Sequence, residues 1–467
     1  MTELHYASLV DVASMIKSRK VSPAEVTTMM LDRIAEVDPS YHSYLLVTPE
    51  FALEAARSAE AEIMSGRYRG PMHGIPIGIK DLNFTKGIKT TFGMRVHKDF
   101  VPDFDGTVVK NLTDGGAVIL GKLHLHEGAF GEHRPDTHAP LNPWNKAYWP
   151  GGSSSGSGVA TAAGLSYGSL GSDTGGSIRF PSHACGVTGV KTTWGRVSRY
   201  GAFPLSESLD TIGPMARSAA DCAALLGSMA GYDPNDPTSL TADVPDYLSG
   251  LDGIWGARGM RIGVDMDYIS EGTDPEILAL VVRFIGVLKE IGAEIVPVRV
   301  PDVTDVANGQ LAFCQVESAA FHEQAYKNAP GDFGNLLGKA VAAGMVYDPV
   351  LFARHQLDRE KFKGRLSRMF LDVDAIVAPV MPHVGVRYDE FDAFMESITS
   401  LLRFTGPFNM SGSPTVTMPC GFSGLGLPVG VQLIGRHLSE GKLLAAAHAY
   451  QQATDHHLQR PVISLNA

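Results

Sequence analysis

GGSSSGSGVATAAGLSYGSLGSDTGGSIR, residues 151–179, sets the organisation of this 467-residue chain. It holds two loops of glycine and serine, GGSSSGS (151–157) and GSDTGGS (171–177), separated by a small-residue run over 158–164 and then LSYGSL. The pattern reads as loop, short buried helix, short strand, loop. About eight helical residues at roughly 1.5 Å each carry the chain about 12 Å outward. Four or five strand residues at roughly 3.3 Å each bring it about 15 Å back. The two serine loops are therefore expected side by side, which is the geometry of a site and not of a linker.

Working outward, HGIPIGIKD (73–81) is a short apolar, β-branched run that ends on a lysine and an aspartate. It reads as a buried strand, with Pro76 marking an edge or a bulge. Lysine is rarely buried without a purpose, so Lys80 is either a functional group or one that exits to solvent or pairs with Asp81. Residues 107–111 and 117–122 read as helix then strand. Further strands are expected at 187–191, 195–197, 260–264, 294–298, 375–380, 415–419 and 427–435, with helices at about 218–231, 274–291 and 441–454. Ser22-Pro23-Ala24-Glu25 is a capping box that opens an N-terminal helix, and a second helix covers about 49–65. Such alternation indicates an α/β class with a large sheet. No repeat or long linker divides the chain. One domain over 1–467 is expected, with a core at about 60–235 and 373–467 around a variable, substrate-lining region at about 236–372, which is mostly helical and irregular from about 302.

Composition narrows the function classes. A 44% hydrophobic, 19% charged chain can bury a large core, and 39 basic against 50 acidic residues leave a net charge of −11. Nucleic acids and anionic membranes want the opposite sign. No apolar run approaches the roughly 18–20 residues of a membrane span, and the N-terminus lacks a signal-peptide core. The expected protein is cytoplasmic, a monomer or homodimer, without nucleic-acid or membrane partners. Cys185, Cys222, Cys314 and Cys420 form no C-x-x-C pair and read as buried thiols. His183 precedes Cys185 by two residues, but nothing else marks that thiol as reactive. His124, His126 and Glu127 lack the further partner a metal set needs and read as polar residues near a site. Neither metal nor cofactor is expected.

The serine loops carry the chemistry. GGSSSGS has no P-loop spacing and no following lysine, which weakens a phosphate-binding role. It contains G-x-S-x-G at 152–156, yet NKAYWP before it is no buried strand, as a nucleophile elbow would need. An S-x-x-K at 14–17 falls in an ordinary helix. In Asp173-Thr174-Gly175-Gly176-Ser177 two glycines strip side chains away before a serine, so backbone N–H groups can converge on an oxyanion. The serine needs a base, and Lys80 acting through a serine of the first loop is the candidate. A free lysine is neutral in only about one molecule in 2,500 at pH 7, and lowering its pKa by about 3 units requires roughly 4 kcal/mol of destabilisation of the ammonium. Burial at a strand end can supply that.

Lys80 after GIPIGI, the GGSSSGS loop and GSDTGGSIRFPS (171–182), in that order, resemble the amidase signature family. The likeness extends through 186–191, 195–198 and 209–214 and resumes in GLPVGVQLIG (426–435). It implies the amidase signature fold, a large twisted mixed β-sheet covered by helices on both faces. It also implies a hydrolase that cleaves the C–N bond of linear carboxylic amides. By this resemblance Ser177 matches the nucleophile, Ser153 the bridging serine after a cis peptide, and Lys80 the general base. The backbone N–H groups of Thr174, Gly175, Gly176 and Ser177 match the oxyanion hole, and Ser154, Asp173 and Arg179 match supporting positions.

The family also contains the catalytic A-type subunit of a glutamine-dependent tRNA amidotransferase, whose usual segment before the first serine loop is M-D-E-F-A-M-G. Here that segment is LHEGAFG (125–131), followed by Glu132-His133-Arg134-Pro135. The departure favours a stand-alone hydrolase; the alternative is the amidotransferase component. Phe130, His133, the region around 313–321 and residues 404–409 including Phe404 are expected to line a pocket. Such a wall suits an aryl or medium-sized apolar amide, with ester or carbamate (urethane) cleavage as further activities.

Overall fold

The computed structural model describes residues 4–396 and 398–465. Among these, eleven strands build one sheet: β1 (Tyr44–Val47), β2 (Pro76–Lys80), β3 (Val118–Leu123), β4 (Gly168–Asp173), β5 (Thr188–Lys191), β6 (Thr211–Ala216), β7 (Arg261–Val264), β8 (Glu294–Pro297), β9 (Ala375–Pro379), β10 (Thr415–Phe422) and β11 (Pro428–Gly435). Their spatial order is β1-β3-β2-β4-β6-β5-β10-β11-β9-β7-β8. The sheet is mixed, parallel at β3-β2-β4 and β9-β7-β8 and antiparallel elsewhere. This is the expected α/β class. The region expected to vary contributes β7 and β8, near the strands expected at 260–264 and 294–298, to one flank of the sheet. It also supplies the helices Pro275–Glu290, Thr304–Asn328, Asn335–Met345 and Pro349–Met369.

Interior parallel strands are covered on both faces and need near-continuous burial. Every residue of β2 and of β4 is buried accordingly. Pro76 begins β2 inside the sheet, and the pairing with β3 shifts register between Ile77 and Gly78. The proline therefore accompanies a bulge in an interior strand and not an edge. Because β2 and β4 are parallel neighbours, their C-terminal ends reach the same margin of the sheet, where α/β proteins place their sites. Lys80 ends one strand and Asp173 the other.

The helix Ser155–Ala162 between the two loops is buried throughout. Its small residues are a packing requirement. An ideal Cβ on Gly156 would stand 2.4 Å from the Ser43 carbonyl oxygen and 2.5 Å from the His124 nitrogen. The strand expected at 195–197 is instead a turn. Gly195 has φ +84°, and Arg196 N donates to Thr193 O at 2.9 Å. The Arg196 guanidinium is anchored on the carbonyls of Ala242 and Asp243, which holds the segment away from the sheet. His183 and Cys185 lie in the helix Arg179–Cys185, not on an extended segment. Cys185 Sγ donates to Pro150 O at 3.3 Å, while His183 Nδ1 accepts from Gly430 N at 3.0 Å. Among the described residues no single helix is long and apolar enough to cross a membrane.

Candidate active site

Lys80 is fully buried, and three serine hydroxyls surround its amine. Nζ lies 2.8 Å from Ser153 Oγ, 2.9 Å from Ser154 Oγ and 2.8 Å from Ser172 Oγ. Burial lowers its pKa to about 7, although the negative charges of Asp173 and Asp210 oppose the change. Asp81 does not pair with it. That carboxylate turns to the N–H and hydroxyl of Thr91 and sits 3.6 Å from the second buried lysine, Lys122. The two serine loops meet as expected, Ser154 N donating to Ser177 O at 3.2 Å. The Gly152–Ser153 peptide is cis, and His126 N donates to the Ser153 carbonyl at 3.2 Å.

Behind the second loop stands an ion pair with no exposure at either side chain. Arg179 grips Asp173 in two places, Nε to Oδ2 at 3.0 Å and Nη2 to Oδ1 at 2.8 Å. Burial alone would raise the Asp173 carboxyl, but the Arg179 charge and its hydrogen bonds hold it well below the usual carboxylate range. Asp173 also accepts from the backbone N–H groups of Gly176 and Ile178 at 2.8 and 3.0 Å. Asn409 Nδ2 reaches the same carboxylate at 2.9 Å, and Arg179 Nη1 donates to the Thr405 carbonyl at 2.9 Å. A buried pair of this kind is tolerated only when its remaining hydrogen-bonding capacity is met.

The loop itself is clamped from three further directions. Thr405 Oγ1 donates to Gly175 O at 2.6 Å, Gln310 Nε2 to Thr174 O at 2.9 Å, and Thr174 Oγ1 to Asp210 at 2.5 Å. The N–H groups of Thr174, Gly175 and Ser177 meet no acceptor among the described residues, as an anion-binding nest requires. Gly176 departs from the expected set of four, because its N–H is committed to Asp173. Its φ is +136°, and an ideal Cβ there would stand 2.4 Å from the Phe180 ring. Glycine is thus required at 176 by conformation and by space.

Ser153 and Ser177 open onto one cleft. Its walls include Phe130, Trp149, Phe180, Leu205, Leu311, Leu401 and Leu402, with Gln310, Cys314 and His126 between them. Among the described residues, no Asp, Glu, Lys or Arg lines it. Of the pocket residues expected from the sequence, Phe130 lies in the wall and two do not. His133 stands behind His126, the two rings edge-on with centroids 4.6 Å apart, and its Nε2 is 3.0 Å from Ser155 Oγ. Phe404 is fully buried beneath the wall and packs edge-on against Tyr268. The helical turn Ile398–Leu402 delivers leucines to the cleft and turns Phe404 into the core. Phe313 likewise faces the core, against Phe352, and Phe321 is exposed. The same helix reaches the cleft through Gln310, Leu311 and Cys314. Glu127 leaves the two nearby histidines for Arg134 and the Gly334 N–H.

Ser172 is the contact the sequence reading lacks. Its signal was present: in parallel register with β2, the end of β4 falls beside Lys80. Gln310 comes from a distant segment, and no local pattern announces it.

A model of the amidase family matches residues 25–444. The chain belongs to the amidase family. It is similar to a putative amidase, AmiD, of Mycobacterium tuberculosis, with 41% identity over 461 residues, 97% of this chain and 96% of that protein. It is also similar to the A-type subunit of the glutamyl-tRNA(Gln) amidotransferase of a Geobacter species, with 38% identity over 477 residues, 95% of this chain and 96% of that one. Among solved structures, the peptide amidase of Stenotrophomonas maltophilia superposes with a TM-score of 0.81 at 31% identity and covers 99% of both chains. As a member of this family, the protein is a carbon–nitrogen bond hydrolase on an α/β amidase signature fold.

Proposed function

We propose that this amidase hydrolyses an uncharged, apolar substrate, an aryl or medium-sized amide, with ester or carbamate cleavage by the same route. One observation carries the reading: among the described residues, no charged side chain lines the cleft above Ser177. A zwitterion such as free glutamine would lose its hydration there without gaining a counter-charge. An apolar acyl or amine group gains from the same wall.

In this reading the three side chains act in sequence. Ser177 Oγ attacks the carbonyl carbon while its proton passes to Ser153 and the Ser153 proton passes to neutral Lys80. The oxyanion is held by the N–H groups of Thr174, Gly175 and Ser177, preorganised by the clamps on their loop. As the C–N bond breaks, the Lys80 ammonium returns the proton through Ser153 to the leaving nitrogen. Water then attacks the Ser177 ester, giving its proton to the same relay, which restores the serine. Support comes from the 2.8 Å approach of Lys80 to Ser153 and from the shared opening of Ser153 and Ser177.

The second reading, an A-type amidotransferase component, draws on the 38% identical relative. The test uses the purified chain alone, with anilides, aliphatic amides, p-nitrophenyl esters and aryl carbamates. Turnover of neutral substrates without partner subunits supports the stand-alone hydrolase. No turnover of any of them sinks it and returns the amidotransferase reading to first place.

A further inference from the structure

Gln310, one of the clamps on the oxyanion loop, reaches the cleft from the helix Thr304–Asn328. Its side chain is buried. Nε2 donates to the Thr174 carbonyl at 2.9 Å and towards Cys314 Sγ at 3.2 Å. A carbonyl oxygen only accepts, so the edge of the Gln310 amide that faces Thr174 must be the NH2 edge. The contact is tight, since an ideal Cβ on Gly175 would stand 2.7 Å from Nε2. The opposite edge is Oε1, and none of the Gln310 hydrogen bonds to described residues uses it. The oxyanion loop therefore fixes which edge of the Gln310 amide it engages, and Gln310 lines the same cleft as Ser153 and Ser177.

We propose that Gln310 is a specificity-determining residue. Its Oε1 accepts a hydrogen bond from an N–H on the nitrogen bonded to the scissile carbonyl. The cleft then selects amides, ureas and carbamates that bear this N–H over esters and N,N-disubstituted amides. The inference rests on the reading of Ser177 as the nucleophile of acyl transfer in this cleft. The carbonyl oxygen of such a substrate goes to the N–H groups of Thr174, Gly175 and Ser177. The polar group left over is the N–H, which must find an acceptor in a wall made mostly of carbon. An ester oxygen or an N-methyl nitrogen offers Oε1 no donor and leaves it unsatisfied on desolvation.

The test compares kcat/KM for an anilide, its N-methyl anilide and the phenyl ester of the same acid, in the wild type and in Gln310→Met. Methionine keeps the length of the side chain and removes both polar edges. Loss of the brace on Thr174 slows all three substrates alike, whereas loss of the acceptor slows the anilide alone. The anilide-to-ester ratio is expected to fall about tenfold or more, while the N-methyl-anilide-to-ester ratio stays within about twofold. An unchanged anilide-to-ester ratio overturns the proposal. If the methionine variant does not fold, Gln310→Asn draws the amide back by one methylene and is expected to lower the same ratio. An unchanged ratio in that variant overturns the proposal equally. A wild type that turns over none of the three removes the acyl-transfer reading and this inference with it, an outcome distinct from activity with an unaltered ratio.

Discussion

Lys80 and Ser172, 92 residues apart in the chain, meet at 2.8 Å between Nζ and Oγ. The contact defines how the amine is held. A neutral lysine has two N–H groups and one lone pair, and three hydroxyls surround this one. Two of them, on Ser154 and Ser172, take the N–H groups, and the lone pair is left for the Ser153 hydroxyl proton. Ser172 therefore aims the base. In Ser172→Ala, kcat is expected to fall about tenfold, within the range by which positioned acid–base groups act. The acid limb of the pH profile should also move to lower pH, because the ammonium loses an acceptor. A profile that keeps its position would deny Ser172 this role.

Activity should rise with pH through about 7, the value to which burial brings Lys80. The working form is the neutral amine. Well below that pH kcat/KM falls about tenfold per unit, and above it the rate levels. Lys80→Ala and Ser177→Ala should abolish turnover, and Lys80→Arg should be equally inactive because a guanidinium does not deprotonate. Ser153→Ala should be severely impaired. A rate flat from about pH 5 to 9 with acylation limiting would remove Lys80 as the base.

The local features of this site were legible in the chain. Glycine-serine loops around a small-residue helix require their own ends to meet, and a β-branched run closing on Lys80 places an amine at a strand end. What was not legible comes from non-local packing. Phe404 and His133 have the chemistry of pocket residues, yet one lies beneath a turn of leucines and the other behind His126. Gly176 has the glycine an oxyanion loop wants, but its N–H answers to Asp173. Sequence indicates which groups gather and leaves open which atom of each is already engaged.

Arg179→Met should unfold more easily by about 3–5 kcal/mol, since it leaves the Asp173 carboxylate buried without its counter-charge. Denaturant titration of the variant reads this directly. Asp173→Asn combined with Arg179→Met should be less destabilised than the sum of the two single changes, because the double variant strands no charge. Additive losses would mean that each residue acts through separate packing contacts.

Gly152 tests how closely the first loop is fitted to its neighbours. An ideal Cβ on this residue would stand 2.1 Å from Cε1 and 2.3 Å from Nε2 of His126. Neither distance is tolerable, and His126 is itself hemmed in by His133 and Trp149. Gly152→Ala must therefore displace the loop that carries Ser153. A shift of about 1 Å in a catalytic group costs on the order of a hundredfold in rate, so kcat should fall by about that factor while the fold persists. His126→Ala removes the ring but keeps the backbone N–H that holds the Ser153 carbonyl. If the collision is the cause, adding His126→Ala to Gly152→Ala should recover about tenfold or more of the lost kcat. A double variant no faster than Gly152→Ala would place the cause in the loop backbone.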